Sequence, residues 1–505
     1  MKLTNRRLIL LDLLWLTALA IFVFAGMNLT PFHGDEAGHI FTTRDFHTAF
    51  IERRPEALLV NPPFNIDSES RVRLLNGSVM RYSVGLAWYL SGLTVSDLNA
   101  SPGWDWGLDY ATNVATNHRP SPQLLTIART VASSYFVLSI VALFLIGRLI
   151  VIKPFAWRPV AYIATLAYTL NPVMLLNGRR ALVESPYLAF GLLAIWIALE
   201  IIRRRANGEK HMVGWWISLA VTSALCLASK YSGLIFVASA FGGILVAELW
   251  RLWIEGRLRK FHDTPIGRLP PGTENTVGTR NGASAVHKPN DGWQRMSGLT
   301  GHLTVTGLAA MALLVVISPA LWNDPLTRAR DLGAEMNAQV NLVVDILPDA
   351  PTTMAERIRA ILTQPFTQPV QFFEQESWAA AVPIQDEIRI YMASPLSGVQ
   401  AGNIGGIGLM LLVAVGLVSS LRLLWQGWLG TDAILRVPMG GAVLLVGVWL
   451  AVTVANLLLN PIPWQRYYLP LIPVYAVLIS MAVNTLLVGG RRSSPAPDAE
   501  PEPAA

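Results

Sequence analysis

The amino-acid sequence predicts an all-α polytopic membrane protein. Of its 505 residues, 52% are hydrophobic and only 14% are charged, against about 25% charged in an ordinary soluble domain. The apolar residues fall in long runs that can cross roughly 30 Å of hydrocarbon as helices. Short basic clusters lie beside these runs, so the net charge of +6 indicates orientation in a membrane and not nucleic-acid binding. A water-soluble fold is excluded.

Ten apolar segments are predicted to span the membrane, and one ambiguous segment raises the total to about 10–11. The ten lie at approximately 8–27, 126–150, 159–177, 181–202, 213–229, 232–253, 302–322, 403–425, 437–459 and 466–489. The ambiguous segment, 79–96, mixes Arg81, Tyr82 and Trp88 with apolar residues. We interpret it as an interfacial helix whose aromatic side chains lie at headgroup level, because a span there would move the later basic clusters to the other side.

The charge distribution predicts the orientation. Lys2, Arg6 and Arg7 precede the first apolar segment, and no small-residue cleavage site follows it, so we read it as a retained anchor with a cytoplasmic N-terminus. Alternation from there makes every predicted inner loop basic and places both termini in the cytoplasm. The outer loops, 28–125 and 323–402, carry ten acids against seven and five Lys or Arg, respectively.

The predicted organisation has two transmembrane modules. The first, 1–253, includes the outer loop 28–125, and the second, 301–490, includes the other long outer loop. Between them lies 254–300, a predicted flexible basic cytoplasmic loop rich in Gly, Pro, Thr and Asn. Residues 491–505 are predicted to form a disordered tail. The single cysteine excludes an intrachain disulfide.

The first candidate site follows the first apolar segment. Asp35 and Glu36 are adjacent carboxylates beside Gly34, which permits a close turn. Adjacent acids point in different directions, so one can face a substrate while the other orients a neighbour or binds a cation. A solvated acidic loop is the plain alternative. A metal site with His33 and His39 is another, although the spacing matches no specific zinc pattern.

A second group of charges introduces the fourth apolar segment. Arg179 and Arg180 put two guanidinium groups on the outer face, against the trend of basic inner loops. Glu184 lies four residues beyond Arg180, so a local ion pair explains both residues in structural terms. Charged groups at the mouth of a membrane helix are costly unless they are paired or functional.

Two further outer turns carry cations. Lys230 precedes Tyr231 and is the only charge between 213 and Glu248. A lysine that snorkels to the interface explains it equally well. The last outer turn contains Arg466 and Tyr467 among aromatic residues, where anchoring in an aromatic belt is the alternative.

Together, these outer ends combine acids with cations. Arginine and lysine recognise phosphate through charge-assisted hydrogen bonds, and a carboxylate can remove a proton from a hydroxyl. Glycosyl transfer from a lipid phosphate needs this combination. A glycosidase requires a second carboxyl group to protonate its leaving oxygen, whereas a phosphate leaving group needs only cationic stabilisation.

The order of the motifs resembles that of GT-C glycosyltransferases. It is most similar to the protein O-mannosyltransferase and aminoarabinose transferase group, glycosyltransferase family 39 and its relatives. The motifs are the acidic pair 35–36, Arg129 in 124–129, and the stretches 171–186, 228–234, 318–322 and 466–470. The resemblance is best over 8–253 and implies a GT-C type fold whose outer loops bear short interfacial helices.

The resemblance also implies a polyprenyl-phosphate-linked sugar donor and an inverting transfer at the outer face. By motif position, Asp35 would be the general base and Glu36 its support. Glu184 would organise the acceptor, the sugar or a cation, while Lys230 and Arg466 would contact the donor phosphate. The remaining substrate-binding candidates are Arg129, Arg179, Arg180, Tyr231 and Tyr467.

Two departures from the family leave the acceptor open. The family's His-Pro-Pro-Leu-like element is present only as Asn61-Pro62-Pro63-Phe64, and the loop 323–402 lacks a lumenal repeat domain. A protein, a membrane lipid or a glycan therefore remain equal acceptors. No cofactor is certain, although a divalent cation suits the acids. The competing class is a transporter or lipid flippase, which predicts charges near the bilayer midplane and paired broken helices.

Overall fold

The computed structural model describes residues 5–65, 68–150, 157–262, 291–346, 350–429 and 433–489. Within these ranges the chain forms helices joined by turns, and it forms no strand. The predicted all-α fold class is confirmed.

The helices of the N-terminal half run from an apolar anchor to a long central bundle. They are α1 (Asn5–Ala25), α2 (Gly34–Phe41), α3 (Ser78–Leu90), α4 (Pro122–Ile150), α5 (Trp157–Thr169), α6 (Pro172–Arg179), α7 (Glu184–Ala206), α8 (Val213–Ser229) and α9 (Leu234–His262). Shorter helical segments between α2 and α4 are Arg44–Phe46, Glu69–Leu75 and Tyr110–Ala115.

The helices of the C-terminal half alternate between apolar spans and loop helices. They are α10 (Asp291–Ile317), α11 (Pro325–Ile346), α12 (Met354–Thr363), α13 (Val382–Ala393), α14 (Gly402–Leu429), α15 (Ala433–Leu459) and α16 (Leu471–Gly489). Helices α11, α12 and α13 lie in the second long loop, as the sequence predicted for helix-bearing outer loops.

Seven of the described helices, α1, α4, α7, α9, α10, α14 and α15, are long and apolar enough to cross a membrane. The pair α5 and α6 adds an eighth if it is one broken span, and α8 and α16 are shorter apolar helices. Each predicted span therefore corresponds to an apolar helix, and the chain is a multi-pass membrane protein. The predicted number of 10–11 spans exceeds the seven or eight that meet the length criterion.

The prediction of one continuous span at 159–177 is wrong. The chain bends by 68° between α5 and α6, because Pro172 begins a new helix and proline disfavours helical backbone in the residue before it. Asn171 caps this helix, and its side chain accepts hydrogen bonds from the backbone N–H groups of Val173 and Met174. The bend brings the following residues, Arg179 and Arg180, to the end of the bundle.

The ambiguous segment 79–96 forms helix α3, which has 13 residues and is not a candidate span, as predicted. Its aromatic residues differ in exposure: Trp88 is fully buried and donates to the Thr43 hydroxyl at 2.8 Å, whereas Tyr89 is 42% exposed. The predicted flexible loop 254–300 is helical at both ends, where α9 and α10 extend into it. Residues 263–290 and the tail 491–505 lie outside the described residues.

Helix α7 is the centre of the bundle. In the most apolar 18-residue stretch of α7, 83% of the residues are buried, whereas the corresponding share is 17% in α1 and in α10. Small residues bring the neighbouring helices close, since a side chain at Gly191 would collide with Phe236 of α9 and one at Gly147 would collide with Ala161 of α5. Such close contacts drive helix association in membranes. The polar end of α7 is thereby held rigidly at one end of the bundle.

The two long loops meet at that end of the bundle, which we call the loop face (26–121 and 318–401). Several cross-loop contacts join them, among them Arg71 Nε to Glu335 at 2.8 Å, Arg119 Nη2 to Glu387 at 2.6 Å, and Phe32 N to Glu387 at 2.8 Å. Gly77 lies directly against the backbone of Ala228 at the end of α8, where a Cβ atom would come within 2.0 Å of the carbonyl oxygen. The loop face is therefore a packed cover on the bundle.

Candidate active site

Helix α2 presents the acidic pair through a capping box. The His33 side chain accepts from the backbone N–H of Asp35, and the His33 N–H donates to the Glu36 carboxylate at 3.0 Å. Two acids in a first helical turn are also favoured by the helix dipole. Gly34 is required here, because a Cβ atom would lie 2.6 Å from Trp104 and 2.7 Å from Trp106. The turn fixes the two carboxylates in different directions.

Glu36 points into the protein. Its carboxylate is fully buried and binds Arg129 of α4 at two points, Nε to Oε1 at 2.8 Å and Nη2 to Oε2 at 2.7 Å. The backbone N–H of Ala181 donates to the same carboxylate at 2.9 Å. Burial alone would raise the pKa of Glu36, but Arg129 and these hydrogen bonds hold it below the ordinary value. This pair joins α2, α4 and the entry to α7.

Asp35 points towards the second long loop. Its carboxylate accepts from Arg466 Nη1 at 2.5 Å, and Arg466 Nε also lies 3.1 Å from Glu374. Glu374 binds His33 Nε2 at 2.8 Å. Burial alone would raise the pKa of Asp35, but Arg466 and His33 hold it below the ordinary value. The Asp35 side chain keeps 28% of its surface exposed, so it is an accessible carboxylate at neutral pH.

Glu184 forms the second pair, and its side chain is buried, with only 3% of its surface exposed. Its carboxylate lies 2.7 Å from Lys230 Nζ, at the start of α7 and the end of α8. The interpretation of Glu184 as a local partner of Arg180 is therefore wrong, since the structure brings in a cation 46 positions away. Because Lys230 is paired with Glu184 and only 22% exposed, snorkelling to the membrane surface does not describe it.

Tyr467 joins the two pairs. Lys230 Nζ lies 5.3 Å from the centre of its ring, and the guanidinium carbon of Arg466 lies 6.0 Å from the same ring centre. Both cations gain from the electron-rich face of an aromatic ring. We call Asp35, Arg466, Glu184, Lys230 and Tyr467 the charged cluster. Tyr231 follows Lys230 in a short 3-10 turn and is half-buried.

The two arginines before α7 have different environments. Arg179 donates to the carbonyl oxygens of Phe22, Val23 and Leu396, at 2.7, 2.9 and 2.5 Å. It is fully buried and ties the end of α1 to the second loop, away from the charged cluster. Arg180 is also buried, with Nε donating to the Pro31 carbonyl at 3.2 Å and Nη2 lacking a partner in the described chain. Burial lowers its pKa to about 10, so it stays charged.

Glu374 was not selected as a candidate from the sequence. It lies in the second long loop, 339 positions after Asp35, and no charge pattern around it distinguishes it from the other acids of that loop. The neighbouring aromatic residue Phe373 stacks on His33, with ring centres 4.9 Å apart. The only feature of the sequence that could have pointed to Glu374 is the pair of aromatic residues before it. Aromatic residues beside an acid are too common to identify a site.

Three groups in the described chain could hold a metal ion together, and they are His33, Asp35 and Glu374. One nitrogen and two carboxylate ligands suit a divalent cation. Arg466 already lies between the two carboxylates, however, with contacts of 2.5 and 3.1 Å. His39, which the sequence grouped with a metal site, is not part of this set.

Comparison with known proteins shows a similarity over part of the chain. Residues 120–263 match the family model described as dolichyl-phosphate-mannose-protein mannosyltransferase. The matched segment contains Arg129, Arg180, Glu184 and Lys230. The match confirms the predicted resemblance to this family over these residues.

Two similar solved structures come from Archaeoglobus fulgidus. One is the archaeal oligosaccharyltransferase AglB in complex with an inhibitory peptide and a dolichol-phosphate, and the other is the oligosaccharyltransferase in the apo form. Each has 11% sequence identity and a TM-score of 0.45, and the matches cover 96% and 94% of this chain. The chain spans about half the length of these relatives, 52% and 50%. No curated protein sequence matches the chain.

Proposed function

We propose that this protein transfers a sugar from a polyprenyl phosphate to an acceptor hydroxyl, with inversion at the sugar carbon. The observation that carries the proposal is the charged cluster, in which the accessible carboxylate of Asp35, the buried carboxylate of Glu184 and two cations meet around Tyr467. Of these residues, Glu184 and Lys230 lie in the segment that matches the mannosyltransferase family. The family description names a dolichyl-phosphate-mannose donor, which supports a polyprenyl-phosphate sugar here.

Lys230 and Arg466 are the proposed donor-phosphate contacts. They lie on one aromatic ring and keep 22% and 19% of their side-chain surfaces exposed. The shortest contact of Lys230 is with one oxygen of Glu184, and the shortest contact of Arg466 is with one oxygen of Asp35. An ammonium group has three N–H donors and a guanidinium group has five, so each cation has further donors for a phosphate. The donor is a phosphate diester with one negative charge, and the leaving polyprenyl phosphate has two. Both cations therefore stabilise charge that grows during the reaction.

Asp35 is the proposed general base. The acceptor oxygen attacks the sugar carbon from the face opposite the phosphate, and the bond from that carbon to the phosphate oxygen breaks. The hydroxyl proton passes to Asp35 as the new bond forms. Because Arg466 and His33 hold the pKa of Asp35 low, the carboxylate is ready to accept a proton at neutral pH. Glu184, which Lys230 fixes at 2.7 Å, is placed to orient the acceptor or the sugar.

Glu36 and Arg129 have a supporting role in this proposal. Their pair is buried on both sides and ties α2 to α4, so neither group can approach a substrate without breaking it. Arg180 lies near this pair and Glu374 and adds positive charge behind the cluster. Arg179 is assigned to the fold, because four backbone or hydroxyl oxygens surround its guanidinium.

The proposed orientation places the loop face outside the cytoplasm. Cysteine introduced at the exposed positions Ser96 and Arg389 should react with an impermeant label in intact cells, and cysteine at Asn207 should react only after permeabilisation. The native Cys226 is buried and should stay silent. Labelling of Asn207→Cys from outside would reverse the orientation.

Mass spectrometry of a deletion strain tests the reaction. Loss of the enzyme should cause one polyprenyl-phosphate sugar to accumulate and one glycoconjugate to disappear. The missing conjugate would identify the acceptor as protein, lipid or glycan. Wild type should restore it, Asp35→Asn should not, and Asp386→Asn should serve as the matched control because Asp386 is an exposed acid of the same face. If the deletion strain kept all its glycoconjugates and its lipid-linked sugar accumulated on the cytoplasmic side, the result would favour a flippase instead.

A further inference from the structure

His39 is a histidine of the loop face that the proposed reaction does not yet use. It lies four residues after Asp35 in α2, so both side chains stand on one side of the helix. Other histidines of this face are engaged: His33 binds Glu374, His47 binds Glu52, and His118 binds the Gly103 carbonyl at 2.9 Å. The His39 ring makes no hydrogen bond or ion pair within the described ranges.

Four charged side chains of the charged cluster lie near His39. Asp35 and Glu184 act on its ring as negative charges, and Arg466 and Lys230 act as positive charges. Burial is the largest influence and, with the two cations, it lowers the pKa of His39 below its ordinary value of 6.5. The ring is therefore neutral at pH 7, with one N–H donor and one nitrogen acceptor.

The ring is both accessible and unpartnered. His39 is half-buried, so at least part of it borders open space. Neither carboxylate that influences it is in hydrogen-bonding contact with it in the described chain, although both are close enough to act on its charge. A small polar group between the ring and these carboxylates would satisfy donors and acceptors on each side. A substrate hydroxyl is such a group, because it can donate one hydrogen bond and accept another.

We propose that His39 binds a substrate hydroxyl between Asp35 and Glu184 and thereby positions it for the transfer. This inference rests on the proposed function and adds a residue to it. The hydroxyl belongs to the acceptor or to the donor sugar, and the two sources share the same chemistry. The hydroxyl proton still passes to Asp35 when the hydroxyl is the attacking one, and the ring keeps its own proton.

Kinetics of His39 variants, with donor and acceptor varied separately, test the inference. His39→Ala should raise the KM of one substrate by about 3- to 10-fold, as expected for one lost hydrogen bond, while His39→Gln should restore most of it. A higher acceptor KM assigns the hydroxyl to the acceptor, and a higher donor KM assigns it to the sugar. His47→Ala is the matched control, because His47 lies on the same face and pairs with Glu52.

The pH profile separates binding from a structural role. In wild type the same KM should rise as the pH falls below 6.5, because protonation removes the ring's acceptor nitrogen and places a cation beside Arg466 and Lys230. His39→Gln should lack this rise, since its amide does not titrate. Two results would overturn the inference about His39 but not the proposed function. One is unchanged KM values in His39→Ala, and the other is a rise in KM at low pH in His39→Gln that equals the rise in wild type. Absence of sugar transfer by wild type would instead overturn the proposed function.

Discussion

Asp35 and Glu36 are neighbours in the chain with opposite environments. Glu36 is fully buried, bound at both oxygens by Arg129 and held by two backbone N–H groups. Asp35 is partly exposed and shares Arg466 with Glu374. A helix turns about 100° per residue, so one carboxylate enters the bundle while the next faces the opposite loop.

The difference separates structural charge from functional charge. A buried ion pair is stable only when its geometry is complete, and breaking it leaves an isolated charge. An exposed pair contributes little to folding, and its partners can exchange for a substrate. The two pairs also differ in what they join: Glu36 and Arg129 connect helices α2 and α4, whereas Asp35 and Arg466 connect the first long loop to the turn before α16. The comparison predicts different consequences for nearly identical substitutions.

The largest effect is expected for Asp35→Asn. The amide keeps the shape of the side chain but cannot accept the hydroxyl proton, and removal of a general base lowers turnover by roughly 100- to 10,000-fold. Turnover of purified protein at equal folded amounts, with the donor supplied, checks this. Folding should be unchanged because Asp35 is already partly exposed.

The pH dependence sharpens the assignment of Asp35. Its pKa lies below the ordinary value of 3.8, so the carboxylate is ionised at neutral pH. The contribution of Asp35 to turnover as a base is therefore lost only when the pH falls through this lowered pKa. An acid limb at a pH below 6.5 is then expected from His39, whose pKa burial holds below its ordinary value. Turnover of Asp35→Asn close to wild type would remove Asp35 as the base and transfer the role to Glu184.

The matching substitution at the buried neighbour should change stability instead. Glu36→Gln leaves Arg129 buried without its charge partner, and breaking such a pair costs about 3 to 5 kcal/mol. The unfolding midpoint in detergent should fall, while turnover per folded molecule should decrease far less than in Asp35→Asn. The double variant Glu36→Gln with Arg129→Gln should recover part of the loss. A fully stable Glu36→Gln protein would contradict a structural role for this pair.

A smaller effect is expected for the proposed phosphate contacts. Lys230→Ala and Arg466→Ala should each weaken donor use by about 10- to 150-fold, since a hydrogen bond to a charged group contributes about 1.5 to 3 kcal/mol. The KM of the donor checks this, with Arg389→Ala as the control because Arg389 is 76% exposed on the same face. Unchanged donor dependence in both variants would argue against the assignment.

The sequence was sufficient for the all-α membrane fold class, but not for the pairing of the charged residues. Apolar runs predict membrane helices because the bilayer fixes their length and composition. The bend at Pro172 was missed because the residues on both sides of it are apolar, so two short helices have the composition of one span. Ion pairs such as Arg466 with Asp35 join residues 431 positions apart, so only the folded chain identifies them. Glu374 was missed for the same reason, since its partners lie in the other loop and the last turn.

The smallest effect is expected from metal removal, and it tests whether arginine or a divalent cation serves the exposed site. His33, Asp35 and Glu374 could bind an ion together, but Arg466 already bridges the two carboxylates. An ion there would have to displace or repel the guanidinium, so we expect turnover to persist in a strong chelator within about twofold. Arg466→Ala removes the competing cation and should expose the same three ligands, so added Mn²⁺ or Mg²⁺ should partly restore its donor use. Wild-type turnover that vanishes with chelator and returns with metal would show that an ion, and not Arg466, supplies the positive charge beside Asp35.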